Sequence, residues 1–210
     1  MRELNLLQNY PQSEKLLVDR TIGDRILASY RGRAFFDGTR SSGYGGMEYD
    51  GRWKPVAEDF VKEYQPKSVI QLQCEKGFLL KEFFDLGLSV QGTESSSYAR
   101  RNSHSDVAPF IYSFLPKEGG FDLVIALGLV YTLSFPEAMH CIRKIQDFGH
   151  SAFITLAAYD TEEELRLFKK WTLLGTTILR KNEWLEVLKH CGYTGDYSFV
   201  TAKTLKLREA

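Results

Sequence analysis

Short apolar runs alternate with amphipathic segments along most of this chain. Residues 68–72, 123–127 and 151–159 are strongly apolar and fit strands that are buried on both faces. Between them, segments such as 78–86 and 135–149 repeat apolar residues at helical spacing. Strands that alternate with helices in this way predict an α/β fold with a central, mainly parallel sheet and helices on both faces.

The rest of the chain after residue 100 continues the same alternation. A third short strand is predicted within 107–114. Helices are predicted over 161–171 and 181–192, and residues 196–207 alternate well enough for one or two final strands. The pattern therefore predicts one continuous sheet rather than two separate domains.

The first 54 residues have a different character. Five apolar side chains lie there at roughly helical spacing: Leu16, Leu17, Ile22, Ile26 and Leu27. They predict one or two short helices. The segment 36–53 is rich in glycine and aromatic residues, which is typical of an ordered loop or lid. We therefore expect an N-terminal helical arm and lid at 1–54 and an α/β domain at 55–210, together forming one globular unit.

Charge and cysteine content exclude several classes of function. Lys and Arg together number 27, as do Asp and Glu, so neither nucleic acid nor a membrane surface is expected as a partner. The absence of a long apolar run and of a secretory signal predicts a cytoplasmic protein. Cys74, Cys141 and Cys191 lack metal-ligand spacing, so we expect free thiols and no metal site.

A candidate ligand site follows from the predicted topology. In an open parallel sheet, ligands bind beyond the carboxyl ends of the strands, where helix N-termini present free amides. The loop 73–77 lies at such an end, and Glu94 follows the next strand. An acid about twenty residues after the loop commonly accepts hydrogen bonds from a ribose diol. The amides near Gly77 and the carboxylate of Glu94 therefore predict a nucleoside-shaped cleft.

Four stretches of the sequence resemble a known family. The stretch "SVIQLQCEKGFLLKEFFDLGLSVQGTESSSYA", followed by "FDLVIALGLVYTL", resembles the class I S-adenosylmethionine-dependent methyltransferases. The segments "FFDGTRSSGYGGMEYDGRWKPVAEDF" and "WTLLGTTILRKNEWLEVLKHCGYTGDYSFVTAKTL" resemble a bacterial subgroup of that family with a tyrosine- and glycine-rich segment before the cofactor loop. The likeness implies S-adenosylmethionine as cofactor, an antiparallel last strand, and methyl transfer to an oxygen or nitrogen of a small acceptor such as a sugar.

The cofactor loop departs from the family pattern, which runs Asp-x-Gly-x-Gly-x-Gly. The family's acid corresponds to Gln71, its first glycine to Gln73 and its second to Glu75, while Gly77 keeps the last glycine. A tight turn with positive φ at position 73 would cost a glutamine roughly 1 kcal/mol or more. We expect the charge of Glu75 to repel the cofactor's carboxylate unless the side chain turns to solvent or to a cation such as Lys76.

The resemblance also implies the remaining site residues. We expect cofactor contacts from Gln73, Cys74, Glu75, Gly77, Glu94, Ser95, Leu127, Tyr44, Gly45 and Arg52. Arg52 would pair with a carboxylate or phosphate, and Cys74 lies at a helix N-terminus, which favours its thiolate. Tyr131 and Tyr159, at the ends of two adjacent core strands, are the candidates for orienting the acceptor.

Three functions remain open at this point. The first is methyl transfer from S-adenosylmethionine to a small molecule. The second is a degenerate methyltransferase-like protein that binds a partner, such as a second copy or an active paralogue, and performs no chemistry. The third is an NAD-type oxidoreductase, which shares the acid after the second strand but needs three glycines in the preceding turn.

Overall fold

The computed structural model describes residues 1–11, 14–117 and 119–209 of this protein. Within these ranges the strands are β1 (Lys15–Leu16), β2 (Ser68–Leu72), β3 (Ser89–Thr93), β4 (Ile111–Tyr112), β5 (Phe121–Ala126), β6 (Gly149–Tyr159), β7 (Leu179–Arg180), β8 (Asp196–Val200) and β9 (Leu207–Arg208). The α-helices are α1 (Ile22–Ser29), α2 (Arg33–Phe36), α3 (Lys54–Tyr64), α4 (Phe78–Asp85), α5 (Ser97–Arg101), α6 (Phe135–Ile145), α7 (Glu162–Trp171) and α8 (Lys181–His190).

Seven strands form one sheet in which every neighbouring pair is parallel. The order is β4-β3-β2-β5-β6-β7, and β8 also pairs with β6. Gln71 of β2 lies beside Gly92 of β3 and Ile125 of β5, so the carboxyl ends of these three strands meet at one edge of the sheet. The predicted α/β architecture is confirmed, and its strand ends place the loop after β2 next to Glu94.

The last strand of the sheet runs parallel, so the antiparallel strand implied by the family resemblance is wrong. β8 pairs with residues 153–157 of β6 in parallel register. It follows α8, and a strand that returns to a sheet through a helical crossover normally enters parallel to the strand before it. The next strand, β9, leaves this sheet and pairs with β1 in a separate two-stranded sheet.

Helices cover both faces of the sheet, and each face has its own apolar cluster. On one face, Phe60 of α3 and Phe83 of α4 pack against Val69 of β2. On the other face, α6 and α8 pack against Ile70 and Leu72. Successive residues of β2 therefore point to opposite clusters, as expected for a strand that is buried on both sides. None of the helices in the described ranges has the length and apolar character that crossing a membrane requires.

The N-terminal arm contains the predicted short helices, but they begin later than expected. Leu16 belongs to β1 rather than to a helix, because its backbone pairs with β9 from the end of the chain. Helix α1 begins after Thr21, whose hydroxyl accepts a hydrogen bond from the amide of Asp24 while the Asp24 carboxylate accepts one from the Thr21 amide. Gly23 lies in the first turn of α1 and does not interrupt it, since this capping box fixes where the helix starts.

The segment between α2 and α3 is irregular, as its glycine content predicts. Gly45 and Gly46 have φ values of 91° and 93°, a region that side chains with a Cβ rarely adopt. Tyr44 and Met47 pack against a small apolar cluster formed by α1, α2, α5 and Leu173. The arm and this segment therefore lie over the edge of the sheet where β2, β3 and β5 end.

Candidate functional site

The loop after β2 has left-handed backbone at three positions. Gln73, Glu75 and Gly77 have φ values of 53°, 56° and 73°, so the positive φ expected at position 73 is confirmed. At Gly77 a Cβ atom would approach Ile111 Cδ1 to 2.8 Å, which explains why this glycine is kept. Gln73 and Glu75 hold the same left-handed turn without glycine, and each pays a strain energy on the order of 1 kcal/mol for it.

We expect the substitution Gln73→Gly to raise the free energy of unfolding by up to about 1 kcal/mol, because relief of about 1–3 kcal/mol of left-handed strain exceeds the extra chain entropy of about 0.5–1 kcal/mol that glycine loses on folding. Urea denaturation followed by circular dichroism measures the difference. Gln73→Ala is the matched control, since it removes the same side chain but keeps the Cβ and should give no gain. Equal stability of the two variants would contradict the strain argument.

The carboxylate of Glu94 is buried and holds three donors. Its Oε2 accepts hydrogen bonds from Arg31 Nη2 at 3.0 Å and from the Glu75 amide at 3.0 Å. Its Oε1 accepts one from the Ser96 amide at 2.7 Å, and the residue is 1% exposed. A carboxylate offers about four lone-pair positions, so about one remains for a ligand. The acid predicted for the ribose therefore already ties together the loop, the start of α5 and the arm.

Arg31 reaches Glu94 from the arm, just after α1. Its own φ is 47°, and its guanidinium lies over the rings of Phe35 and Phe36 at 5.3 and 5.4 Å from their centroids. One nitrogen, Nε, is buried and has no hydrogen-bond partner among the described residues. Arg31 therefore combines a buried ion pair with a donor that is free to meet a second anion.

Two cavities open at the strand ends, and Gln73 lines both of them. The first, which we call the outer groove, has a volume of about 750 Å³ and is mainly apolar. It is lined by Leu72, Gln73, Thr93, Glu94, Ser95, Ser113, Phe114, Leu115, Leu129, Leu133, Pro136, Glu137, His140, Cys141, Lys144, Ile145 and Phe148. The second, which we call the inner cavity, has a volume of about 290 Å³. Open space therefore lies beside Gln73 and Glu94 at this edge, whereas Gly77 lines neither of these two cavities.

Polar side chains from the sheet, the loop after β2 and the arm line the inner cavity. Gln71, Arg31 and Glu75 all line it. The Oε1 atom of Gln71 is buried and accepts no hydrogen bond from the described residues. The Nε atom of Arg31 is also buried, and it donates no hydrogen bond to them. Buried polar atoms are normally paired, and these two unpaired atoms belong to residues that line the same cavity, where water or a ligand can satisfy them.

Glu75 directs its charge into the inner cavity. Glu75 is half-buried and lines the cavity, and its carboxylate accepts no hydrogen bond from the described residues. Burial, together with the Glu94 carboxylate, raises the pKa of Glu75 to about 7, although the Arg31 and Lys76 charges oppose this rise. Burial is the main cause that raises the pKa of Tyr131, and the charges of Tyr44 and Glu75 raise it further.

Lys76 does not neutralise Glu75, because it forms an ion pair with the arm instead. Its ammonium group donates to the carboxylate of Asp37 and to the carbonyl oxygen of Met47, the latter at 2.9 Å. Tyr98 donates to the other oxygen of Asp37 at 2.7 Å. The side chain of Lys76 is 8% exposed, so the loop is joined to the glycine-rich segment by a largely buried pair.

The structure separates the two predicted tyrosines. Tyr131 lines the inner cavity beside Leu127 and Gly128, and burial keeps its pKa above the ordinary value. Tyr159 lies at the end of β6 with the guanidinium of Arg180 over its ring at 4.9 Å. It is not among the described residues that line the inner cavity or the outer groove.

The other predicted residues fall into two groups. Ser95 lines the outer groove, and Leu127 and Tyr44 line the inner cavity. Gly45 is exposed and lines neither space, and Arg52 is bound to the carboxylate of Asp50 by Nε at 2.7 Å.

Cys74 is buried between the loop and β3, so the thiolate that its position favoured does not form. Burial is the main cause that raises the pKa of its thiol, and the negative charges of Glu94 and Glu75 add to it. A buried thiol with a raised pKa is a poor nucleophile. We therefore assign Cys74 a packing role.

Sequence reasoning missed Arg31 and Asp37 as site residues. Arg31 contacts Glu94 across 63 positions of the chain, and no local pattern links the two. Asp37 lies at the start of the glycine-rich segment, and its position two residues into "FFDG" was a usable signal that this segment meets the cofactor loop.

A scan against protein-family models finds no match for this chain, and a search of the curated proteins finds none either. Solved structures do match it. The N-terminal domain of EvdMO1 with SAH bound matches at 12% sequence identity, over 81% of this chain and 85% of that chain, with a TM-score of 0.51. PigF with SAH matches at 14% identity, over 82% and 64% of the two chains, with a TM-score of 0.51.

The mitomycin 7-O-methyltransferase MmcR is similar at 11% identity and a TM-score of 0.47, and this chain spans 50% of its length. The neighbours are class I S-adenosylmethionine-dependent methyltransferases. Together with the parallel sheet and its strand order, the likeness to EvdMO1 and PigF identifies a Rossmann-like class I methyltransferase fold.

Proposed function

We propose that this protein binds S-adenosylmethionine at the carboxyl ends of β2, β3 and β5 and methylates an oxygen or nitrogen of a small acceptor, such as a sugar. The observation that carries the proposal is the orphaned pair of polar atoms in the inner cavity. Gln71 Oε1 is an acceptor without a donor, and Arg31 Nε is a donor without an acceptor. The methionine end of the cofactor carries an ammonium and a carboxylate, which complement this pair.

The charges around the inner cavity support the same assignment. The family's acid is absent at Gln71, but a carboxylate faces the same cavity from Glu75. The cofactor carries a sulfonium and an ammonium against one carboxylate, so a negative side chain favours its net positive charge. Arg31 offers a cation to the cofactor's carboxylate, which offsets the repulsion expected from Glu75.

The outer groove suits the nucleoside. Its walls are mainly apolar, with Phe114 and Leu129 among them, and Ser95 and the last free position of Glu94 provide polar groups at the end next to Gln73. Cofactor sites commonly combine apolar walls with a few placed polar groups. Because Gln73 lines both spaces, one elongated ligand can extend from the outer groove into the inner cavity.

S-adenosylmethionine supplies a methyl group that is already activated on a sulfonium, so the protein has to position the acceptor more than to activate it. Tyr131 lines the inner cavity and keeps its proton, since burial raises its pKa. It can therefore donate a hydrogen bond that orients an acceptor oxygen or nitrogen. A related structure was determined in the presence of SAH and D-fucose, which supports a sugar-like acceptor.

Calorimetry with S-adenosylmethionine and S-adenosylhomocysteine tests the proposal directly. We expect micromolar binding of both by the wild-type chain. Gln71→Leu should weaken it about tenfold, because the hydrogen bond to a charged ammonium is lost. Gln91→Leu on the neighbouring strand is the matched control, since Gln91 is not among the described residues lining either cavity. Absence of binding up to millimolar ligand would overturn the proposal.

A second candidate function is a methyltransferase-fold protein that binds a partner, such as a second copy or an active paralogue, and transfers no methyl group. The occupancy of Glu94 favours it, because Arg31 and two backbone amides already use three of its lone-pair positions. A folded chain that binds neither cofactor nor product in the same calorimetry would support this candidate over the first.

A further inference from the structure

A third, smaller cavity lies next to the inner cavity and is surrounded by positive charge. Its volume is about 210 Å³, several times the roughly 30 Å³ that one water molecule takes in the liquid. It is lined by Lys15, Leu16, Leu17, Val18, Arg20, Arg40, Tyr44, Arg52 and Trp171. Four of these residues are cationic and none is acidic. We call this space the arm cavity, because most of its lining comes from the first 52 residues.

Arg20 is held in the wall of the arm cavity by hydrogen bonds, and one of its donor groups has no acceptor among the described residues. Its Nε and Nη2 donate to the carbonyl oxygen of Arg40 at 3.2 and 3.0 Å, and Nη2 also donates to that of Gly43 at 3.2 Å. The guanidinium lies over the ring of Tyr44 at 5.4 Å. Its Nη1 is buried and has no hydrogen-bond partner among the described residues. These contacts hold the guanidinium of Arg20 in place. Its Nη1 group remains without an acceptor from the described residues, among other positively charged side chains.

The positive charges of the arm cavity are only partly balanced. Arg52 is neutralised by the two oxygens of Asp50. Neither Arg20 nor Arg40 forms an ion pair with a carboxylate in the part of the chain that the structure describes. Burial lowers the pKa of Lys15, and the neighbouring charges of Lys206 and Arg40 lower it further. The positive side chains of Arg20 and Arg40 therefore favour an anion inside the cavity.

We propose that the arm cavity binds a phosphate or diphosphate group of the molecule that enters the inner cavity. This molecule is the methyl acceptor if the proposed function holds, and the inference rests on that function for the acceptor's role. The two spaces share Lys15, Tyr44 and Trp171 in their linings, so they lie next to each other. Several cations around one cavity match a multiply charged oxyanion better than the single charge of a carboxylate, and Arg forks suit phosphate geometry.

Calorimetry of the full chain with inorganic pyrophosphate tests the anion site without needing the acceptor. We expect a dissociation constant below about 1 mM for the wild type, and a loss of about tenfold for Arg40→Gln, because one charge-assisted contact is removed. Arg40 is the first choice because its side chain is exposed and its backbone oxygen, which anchors Arg20, is unchanged. Arg20→Lys, which keeps the charge and removes the fork, should also weaken binding.

Lys62→Gln is the matched control, since it removes one exposed cation on α3 that does not line the arm cavity, and its affinity should stay within about twofold of wild type. No pyrophosphate binding, or equal affinity in wild type, Arg40→Gln and Lys62→Gln, would overturn the inference. Cofactor binding is measured separately. If pyrophosphate binding shows the expected pattern while S-adenosylhomocysteine does not bind, the anion site stands and the methyltransferase proposal fails.

Discussion

Replacing Glu75 by glutamine is expected to raise the free energy of unfolding at pH 8 by up to about 3 kcal/mol. The reason is the raised pKa of this carboxyl, from an ordinary value of 4.5 to about 7. The folded chain holds the proton more tightly than the unfolded chain. Stability therefore falls as the pH rises from about 4.5 to about 7, and the full cost is present above pH 7. Glutamine cannot ionise, so the Glu75→Gln variant does not lose this stability as the pH rises.

Urea denaturation at pH 5 and pH 8 measures the effect of Glu75→Gln. We expect a small difference from wild type at the lower pH and the large gain at the higher one. Glu186→Gln, an identical change on the exposed side of α8, should leave the difference between the two pH values as in wild type. A wild-type chain and a Glu75→Gln chain with the same pH dependence would mean that Glu75 does not hold its proton in the folded state.

Removing Glu94 is expected to cost about 3–5 kcal/mol, because a buried ion pair loses one partner and leaves the other charge uncompensated. In Glu94→Ala the buried guanidinium of Arg31 and the amides of Glu75 and Ser96 all lose their acceptor. Glu94→Gln keeps one acceptor oxygen and should cost less. Circular dichroism during urea denaturation measures both variants.

Glu162→Ala provides the comparison for Glu94→Ala. Glu162 also pairs with an arginine, Arg180, but its side chain is 74% exposed against 0% for Glu94. An exposed ion pair contributes about 0–1 kcal/mol, so this variant should be close to wild type. A loss for Glu94→Ala as small as that for Glu162→Ala would show that Arg31 finds solvent once its partner is removed.

The sequence predicts the layout of the sheet well, because local pattern decides it. The apolar runs at β2, β5 and β6 and the helical spacing of α4 and α6 all correspond to elements of the structure. The family pattern has a glycine at position 73, which indicates a tight turn with left-handed backbone. Gln73 takes that left-handed conformation in the structure.

The sequence could not predict which strands and side chains pair when they are far apart along the chain. Leu16 joins a strand because residues near the C-terminus pair with it, and nothing within its own neighbourhood predicts that. The direction of β8 depends on the crossover through α8, whereas the family resemblance implied an antiparallel strand. Likewise, Tyr159 seemed equivalent to Tyr131 as a residue at a strand end, but its ring is covered by Arg180.

The contact between Arg31 and Glu94 makes the arm an internal competitor for any ligand that would bind the Glu94 carboxylate. Arg31 belongs to the same chain, so it meets the carboxylate at a high effective concentration that does not change with the amount of protein. Any ligand that needs two positions on Glu94 has to displace this residue first, whereas a ligand that needs one does not. The arm therefore favours ligands that need only one hydrogen-bonding position on the Glu94 carboxylate.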